Sequence, residues 1–273
     1  LRTSSAASDV YKRQMYNKKM IAMMLTLSML AASLAGCAGG DDDDDADWAI
    51  SMASDVEVVW VESGWDPIIP NLNAGEMCDV IISAMTKTEA RDQVVDFTRA
   101  YYTSSQGVIG GSGSASISDV SELNAAGITV GVQSGTTSDI FANGDADNMA
   151  SLPEATVVAY EDFPSVIAAL DNGDVMYALG DAPVLSLEGT LMTQFSDENF
   201  GIAVREDSGE LLDALNVAIG AIVDSGEYDT IFQASFDGAA VLTDDTTADT
   251  ATAYPSPSEG STLTGVLESG QLK

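Results

Sequence analysis

Apolar and polar residues alternate along the chain in short blocks rather than in one long period. Val56–Val61 is β-branched and apolar enough for a strand, and Pro67–Ala74 reads as a short helix ending at Gly75. Val80-Ile81-Ile82 is too short for a helix and typical of a buried parallel strand. Thr88–Val95 predicts a further short helix, and Tyr101–Ile109 an extended segment. After the Gly/Ser-rich stretch Gly110–Ser118 the alternation restarts, with strands at Ile128–Val132, Val157–Ala159, Met176–Leu179 and Gly201–Val204. Pro164–Asn172 is a helix closed by Gly173, and Ser208–Ser225 is the best helix in the chain. Its Leu211, Leu212, Leu215, Ile219, Ile222 and Val223 share one face. Strands alternating with helices predict an α/β protein with largely parallel sheets. Two such sets on either side of a Gly/Ser stretch predict two lobes.

The two ends have a different character. Residues 1–14 carry neither methionine nor apolar periodicity and are read as a non-native prefix. From Met15 a basic start (Lys18, Lys19) leads into the apolar run Met20–Ala35 and then Leu34-Ala35-Gly36-Cys37. As a helix that run is about 24 Å long, short of a ~30 Å hydrocarbon core, so residues 15–36 are expected to be a signal peptide rather than a membrane span. Leu-Ala-Gly-Cys resembles the lipobox of exported lipoproteins, which implies cleavage before Cys37 and a lipid anchor on its thiol; a simple secretory signal is the plainer alternative. Residues 37–46, with Asp41–Asp45, then form an acidic spacer. Residues 237–260, rich in Thr, Asp and Ala and including Pro255-Ser256-Pro257-Ser258, have linker composition.

Charge narrows the function classes. The 273 residues hold 10 Lys+Arg against 43 Asp+Glu and no histidine, a formal net charge of −33. Without histidine there is no Ser-His-Asp triad, no Cys-His dyad and no His-ligated metal, and no cofactor is expected. So acidic a surface repels phosphate backbones, which excludes nucleic-acid binding through a basic face. Arg2, Lys12, Arg13, Lys18 and Lys19 precede residue 20 and Lys273 is last, leaving Lys87, Arg91, Arg99 and Arg205 for the body. Each is therefore a candidate for work that needs a positive charge. Cys78 is the only other cysteine besides Cys37 and is most simply a small buried apolar residue.

The order of motifs resembles the type II periplasmic binding proteins, specifically the extracellular solute-binding family that delivers polar amino acids to ABC transporters. Five stretches carry the resemblance: Trp65–Leu72 with Gly75 and Asp79; Ser83–Arg91 with Val95-Asp96-Phe97 and Tyr101-Tyr102; Val130–Thr137; Ala169–Gly173 with Asp181-Ala182-Pro183; and Gly201-Ile202-Ala203 with Gly226–Phe232. The resemblance implies a two-lobed fold with mixed, mostly parallel sheets. Residues 47–104 and 197–236 would form lobe 1, residues 105–196 lobe 2, and two crossing segments near Tyr101–Ser105 and Asp197–Gly201 a hinge. It also implies a ligand-binding set of Trp65, Ser83, Ala84, Thr86, Arg91, Gln133, Thr136, Thr137 and Asp181.

That set makes chemical sense. An α-amino acid presents a carboxylate beside an ammonium, so its site needs one cation and one anion. Arg91 offers a planar fork that takes a carboxylate bidentately, which Lys cannot do. Thr86 adds a hydroxyl and a backbone N–H, Thr136 and Thr137 offer N–H groups at a helix start, and Asp181 would accept from the ammonium. Trp65 stands where the family places an aromatic wall, and Gln133 where the family varies with the bound side chain. Singly, each residue has an ordinary reading: Arg91 as a surface helix residue, Asp181 as a helix N-cap before Pro183, Trp65 as a core aromatic, and the threonines as caps.

Two departures from the family pattern stand out. The strand and loop that open such proteins are missing, since Asp47–Ala53 resembles only the first helix and follows directly on the Asp run. Met176-Tyr177, in turn, stands where the family usually has Asp-Ala. Residues 261–273 resemble the lead-in to another binding domain's first strand, which would explain the missing strand if the chain is a fragment of a tandem protein. The expected molecule is a monomeric, exported, lipid-anchored amino-acid-binding protein that meets an ABC transporter permease and touches the membrane only through Cys37. The rivals are a cyclohexadienyl-dehydratase-like enzyme on the same fold and a ligand-sensing ectodomain without transport.

Overall fold

The computed structural model describes residues 56–146, 148–235 and 253–273. The prefix, the signal peptide, Cys37 with its acidic spacer, and most of the predicted linker lie outside the described residues. Among those described, no helix is long and apolar enough to cross a membrane.

Lobe 2 is one unbroken excursion of the chain. It contains β4 (Tyr102–Gly110), β5 (Thr129–Gln133), α3 (Thr137–Asn143), β6 (Thr156–Tyr160), α4 (Phe163–Asn172), β7 (Tyr177–Asp181), α5 (Ala182–Glu188) and β8 (Thr193–Phe200). These strands form a five-stranded sheet in the order β6-β5-β7-β4-β8. β5 pairs parallel with β6 and β7, and β4 pairs antiparallel with β7 and β8. The sheet is buried on both faces, as apolar runs such as Val130–Val132 require. Val108, Val130, Val132, Leu152 and Leu179 pack on one side, and Ile109, Val166, Leu170, Val175 and Leu185 on the other. α4 is closed at both ends: Asp162 accepts from Ser165 N–H at its start, and Gly173 takes the left-handed conformation at its end.

Lobe 1 is assembled from three separate stretches. The first supplies β1 (Glu57–Val58), α1 (Ile68–Ala74), β2 (Val80–Ile81), α2 (Glu89–Asp92) and β3 (Asp96–Phe97). The second supplies β9 (Ala203–Val204), α6 (Gly209–Ser225) and α7 (Glu227–Ser235), and the third α8 (Thr262–Ser269) and β10 (Gln271–Leu272). β9 pairs antiparallel with both β2 and β3, and β10 pairs parallel with β1. Carbonyls of successive residues in a strand point to opposite edges. Gly270 and Leu272 accept from Glu57 and Val59 on one side, while Lys273 accepts from Asp79 and Val80 on the other, at 2.7–3.1 Å. β10 therefore lies between β1 and β2. Residues 262–272 thus pack within lobe 1. The main core of this lobe joins Ile202, Val204, Leu211, Leu215, Ile219 and Phe232 to Leu263 and Leu267 of α8.

β4 and β8 carry the chain between the lobes. Their ladder breaks register between Ser104 and Gln106, and Ser196 opposite has a φ of 57°. This irregularity falls in the two segments expected to cross. Beyond it β8 reaches lobe 1, where Lys87 N–H donates to Asn199 O and Gly201 N–H to Met85 O. Most predicted elements start and end within one or two residues of those observed. The exceptions are Val56–Val61, which shortens to β1, and Thr88–Val95, which shortens to α2. Cys78 is only partly buried, beside the cluster of Leu72, Ile81 and Phe97.

Candidate functional site

A cavity of about 450 Å³ lies between the lobes, and Trp65, Ser83, Ala84, Thr86, Arg91, Gln133, Thr136, Thr137 and Asp181 all line it. The sequence expectation gathered these nine from four of the five stretches; the fold brings them to one place. Ser63, Gln106, Ser138, Glu161, Asp162 and Phe163 line it as well and were not expected.

The lobe 1 wall centres on Arg91. Arg91 lies in the single turn of α2, where its backbone N–H donates to the Thr88 side-chain cap. Its Nη1 donates to Thr86 O at 2.9 Å and its Nη2 to Gly135 O of lobe 2 at 3.2 Å. The guanidinium lies over the Trp65 ring, 5.3 Å from the centroid, and Trp65 Nε1 donates to the same Gly135 carbonyl at 3.1 Å. Burial lowers the Arg91 pKa from its ordinary value, against the opposing pull of the Glu198 and Asp181 carboxylates. A cation taken out of water in this way favours an anionic partner. Thr86 gives its hydroxyl hydrogen to the buried Glu198 at 2.7 Å, and Ser196 donates to the same carboxylate at 2.8 Å. Ala84 sits at φ 50°, with its N–H donating to Tyr101 Oη at 3.0 Å.

The lobe 2 wall is built from strand ends and helix starts. β5 delivers Gln133, and the turn at Gly135 (φ 69°) delivers Thr136, whose hydroxyl accepts from Asp139 N–H as an ordinary helix cap. A side chain at Gly135 would be strained and would crowd the Asp66 carboxylate at 3.2 Å. β7 delivers Asp181. Although Asp181 stands at the N-cap of α5, its side chain makes no capping bond there. It accepts instead from Gln106 Nε2 at 2.6 Å. Gln106, 2% exposed on the hinge strand β4, also donates to Thr137 Oγ1 at 3.2 Å and accepts from the Ser138 hydroxyl. One buried amide thus ties Asp181 to the start of α3.

Burial pushes the Asp181 carboxyl up to about 7, and Glu198 adds to the rise; the Gln106 hydrogen bond and Arg91 work against it. A carboxylate this poorly solvated is suited to pairing with a cation. The cavity therefore offers one desolvated cation from lobe 1 and one desolvated anion from lobe 2. Glu161 and Asp162 add further negative charge to its lining.

Nothing in the local pattern marked Gln106 or Glu161. Gln106 lies inside a run legible only as extended, and Glu161 reads as an exposed loop carboxylate. Two of the remaining body cations are engaged elsewhere in lobe 1. Arg205 donates to Leu72 O, Cys78 O and Thr262 Oγ1 within lobe 1, and Arg99 passes over Gly220 of α6.

Comparison with known proteins agrees with this geometry. Residues 45–238 match the bacterial extracellular solute-binding proteins, family 3. A probable histidine-binding protein of Neisseria gonorrhoeae is 28% identical over 200 residues, covering 69% of this chain and 71% of its own. An L-arginine-binding protein of Pseudomonas aeruginosa is 31% identical over 192 residues, covering 64% and 71%. Among solved structures, an ancestral amino-acid-binding protein described as a precursor of cyclohexadienyl dehydratase superposes with a TM-score of 0.61 at 30% identity, covering 71% of this chain and 85% of that one. An ancestral arginine-binding protein bound to arginine gives 0.58 at 31%, covering 70% and 87%. With the family match spanning most of the described residues, and an interlobe cleft of opposed charges at its centre, this chain belongs to the bacterial extracellular solute-binding proteins, family 3.

Proposed function

We propose that the cleft captures a single L-amino acid with a positively charged side chain. The observation that carries this reading is the placement of Arg91 and Asp181, one from each lobe, on one cavity whose other charged lining residues are the acidic Glu161 and Asp162. The Arg91 fork takes the ligand carboxylate, with the Thr136 and Thr137 N–H groups at the start of α3 beside it. Asp181 accepts from the ammonium. Glu161 then faces the side chain, with the α4 cap Asp162 adding negative charge beside it, and a cation complements both. Several relatives support this choice, being named histidine-, arginine- and lysine/arginine/ornithine-binding proteins, although one is named a glutamine-binding protein. Calorimetry with arginine, lysine, histidine, glutamine and glutamate tests it. The cationic ligands are expected to bind tightest and glutamate weakest; tightest binding of glutamate would sink the reading.

The transport role follows the family: an exported binding protein that presents its cargo to an ABC transporter permease. Its finer features are a monomeric state and a lipid on Cys37 holding the domain at the outer face of the cytoplasmic membrane. Metabolic labelling with a fatty acid, compared between the wild-type chain and Cys37→Ala, tests the anchor. An enzyme is a second reading, favoured by the place of Asp181 on the cavity, where burial raises its carboxyl to about 7 and suits it to donate a proton near neutral pH. Incubation with cyclic carboxylic acids and assay for dehydrated product tests it, and absence of turnover with intact amino-acid binding removes it.

A further inference from the structure

The family match ends at residue 238, yet the chain's last stretch is built into lobe 1. In the sheet order β1 has one neighbour, β10. Glu57 N–H and Val59 N–H both donate into the C-terminal segment, at 2.8 Å to Gly270 O and Leu272 O. Lys273 N–H in turn donates to the Asp79 carboxylate at 3.0 Å, just ahead of β2. The β10 segment thus joins β1 to β2, and a two-residue strand such as β1 gains little order from its own pairing alone.

The segment is seated by both apolar and polar contacts. α8 places Leu263, Val266 and Leu267 on one buried face, at 8%, 6% and 5% exposure. Leu263 and Leu267 join the cluster formed by Leu211 and Leu215 of α6. Thr262 Oγ1 accepts from Arg205 Nη2 at 3.3 Å and lies 2.8 Å from Ser208 Oγ. The Glu210 carboxylate accepts from both the N–H and the hydroxyl of Ser258.

The two strands that flank the segment lead into the cleft. β1 continues to Ser63-Gly64-Trp65 and β2 to Ser83-Ala84, all of which line the cavity, whereas no residue of 253–273 does. We propose that residues 258–273 are a positioning element for ligand capture: docked between β1 and β2, they set the spacing of Ser63–Trp65 against Ser83–Ala84 without touching the ligand. The proposal rests on the reading of the cleft as an amino-acid site. If it holds, affinity follows the docked fraction of the segment, because a ligand meets only the competent population.

The test uses the full chain with Leu263→Asp and Leu267→Asp, which undock the segment, and a synthetic fluorescent peptide of residues 253–273. L-arginine affinity is expected to fall at least about tenfold in the variant, and saturating peptide to restore it to within about threefold of wild type. The peptide's anisotropy should rise with the variant and stay flat with the wild-type chain, whose slot is filled. Wild-type affinity in the variant, or peptide that binds without restoring affinity, overturns the proposal. A milder full-length pair, Ser258→Ala with Thr262→Val, keeps the apolar face and the Ser258 N–H bond to Glu210 but removes the hydroxyl contacts. It should weaken L-arginine about threefold and speed amide exchange at Glu57 and Val59; unchanged affinity with faster exchange there also overturns it. If the wild-type chain binds no amino acid, the functional reading fails, while anisotropy still reports whether the slot takes its peptide.

Discussion

The two walls of the cleft come from lobes built in opposite ways. Lobe 2 is one continuous stretch folded onto a five-stranded sheet, and its site residues sit at strand ends or helix starts in a settled register. Lobe 1 gathers three stretches far apart in sequence around strands of two residues each. Its site residues lie on turns held from elsewhere: Thr86 by Glu198, Ala84 by Tyr101, and the Met85–Lys87 turn by β8. Lobe 2 thus presents its cavity residues from elements set by their own register, with Gln106 as the long-range tie to Asp181, whereas lobe 1 presents its own from turns fixed by tertiary contact. Both loop closure and sheet completion must succeed before the second wall exists.

Mutations can break or sharpen this contrast. The largest effect is expected from Arg91→Ala, the centre of the tertiary wall, which should cost about 2–5 kcal/mol of ligand affinity, as when one partner of a buried charge pair is removed. Calorimetry checks it, and unchanged affinity would reject Arg91 as the carboxylate clamp. Next comes Leu215→Ala in the lobe 1 core, expected to destabilise by about 2–4 kcal/mol. Hydrogen exchange should then accelerate throughout lobe 1 while amides of Val130 and Val132 stay protected; equal acceleration in both lobes would mean that they open as a single unit.

The pH dependence of Asp181 is smaller and has a definite sign. Its folded pKa, about 7, lies above the ordinary value of 3.8. It therefore favours the empty fold at low pH, and that contribution fades as pH rises through about 7. Ligand affinity runs the other way, because only the ionised carboxylate pairs with an ammonium. From pH 7 down to 5.5 affinity should fall by up to about tenfold per unit. Asp181→Asn should raise the melting temperature of the empty protein at pH 8 while weakening binding and flattening this profile. The smallest expected change is at the rim, where Glu161→Gln should weaken arginine by about 0.2–1 kcal/mol and leave glutamine unmoved; an equal loss for both ligands would place Glu161 outside side-chain recognition.

The same contrast explains what the sequence made legible. Lobe 2 strands such as Thr129–Gln133 announce themselves because apolar, β-branched residues fill a sheet covered on both faces. The hinge strand Thr193–Phe200 does not, since its residues Thr-Gln-Phe-Ser-Asp-Glu-Asn-Phe are mostly polar and Glu198 is buried only through its hydroxyl partners. Arg91 could be singled out because basic residues are so scarce. That Asp181 does not cap its own helix needed the structure, because its carboxylate accepts instead from Gln106, which lies 75 residues away in the chain. Residues 261–273 showed their likeness to the start of a binding domain. Their pairing with β1 and β2 depends on contacts more than 190 residues apart in the chain, such as Lys273 to Asp79.

The Gly135 carbonyl, which accepts from both Trp65 and Arg91, sets a floor on discrimination. Two hydrogen bonds across the cleft at roughly 0.5–1.5 kcal/mol each would favour a shut form about fivefold to 150-fold wherever both form, with or without cargo. A permease that senses shape alone would then meet empty, shut molecules as well as loaded ones, and that background would waste encounters. Trp65→Phe, which removes one of the two donors, should lower the shut fraction of the empty protein; interlobe fluorescence transfer with and without ligand measures it. Capture and futile signalling would thus be traded against each other at one backbone oxygen.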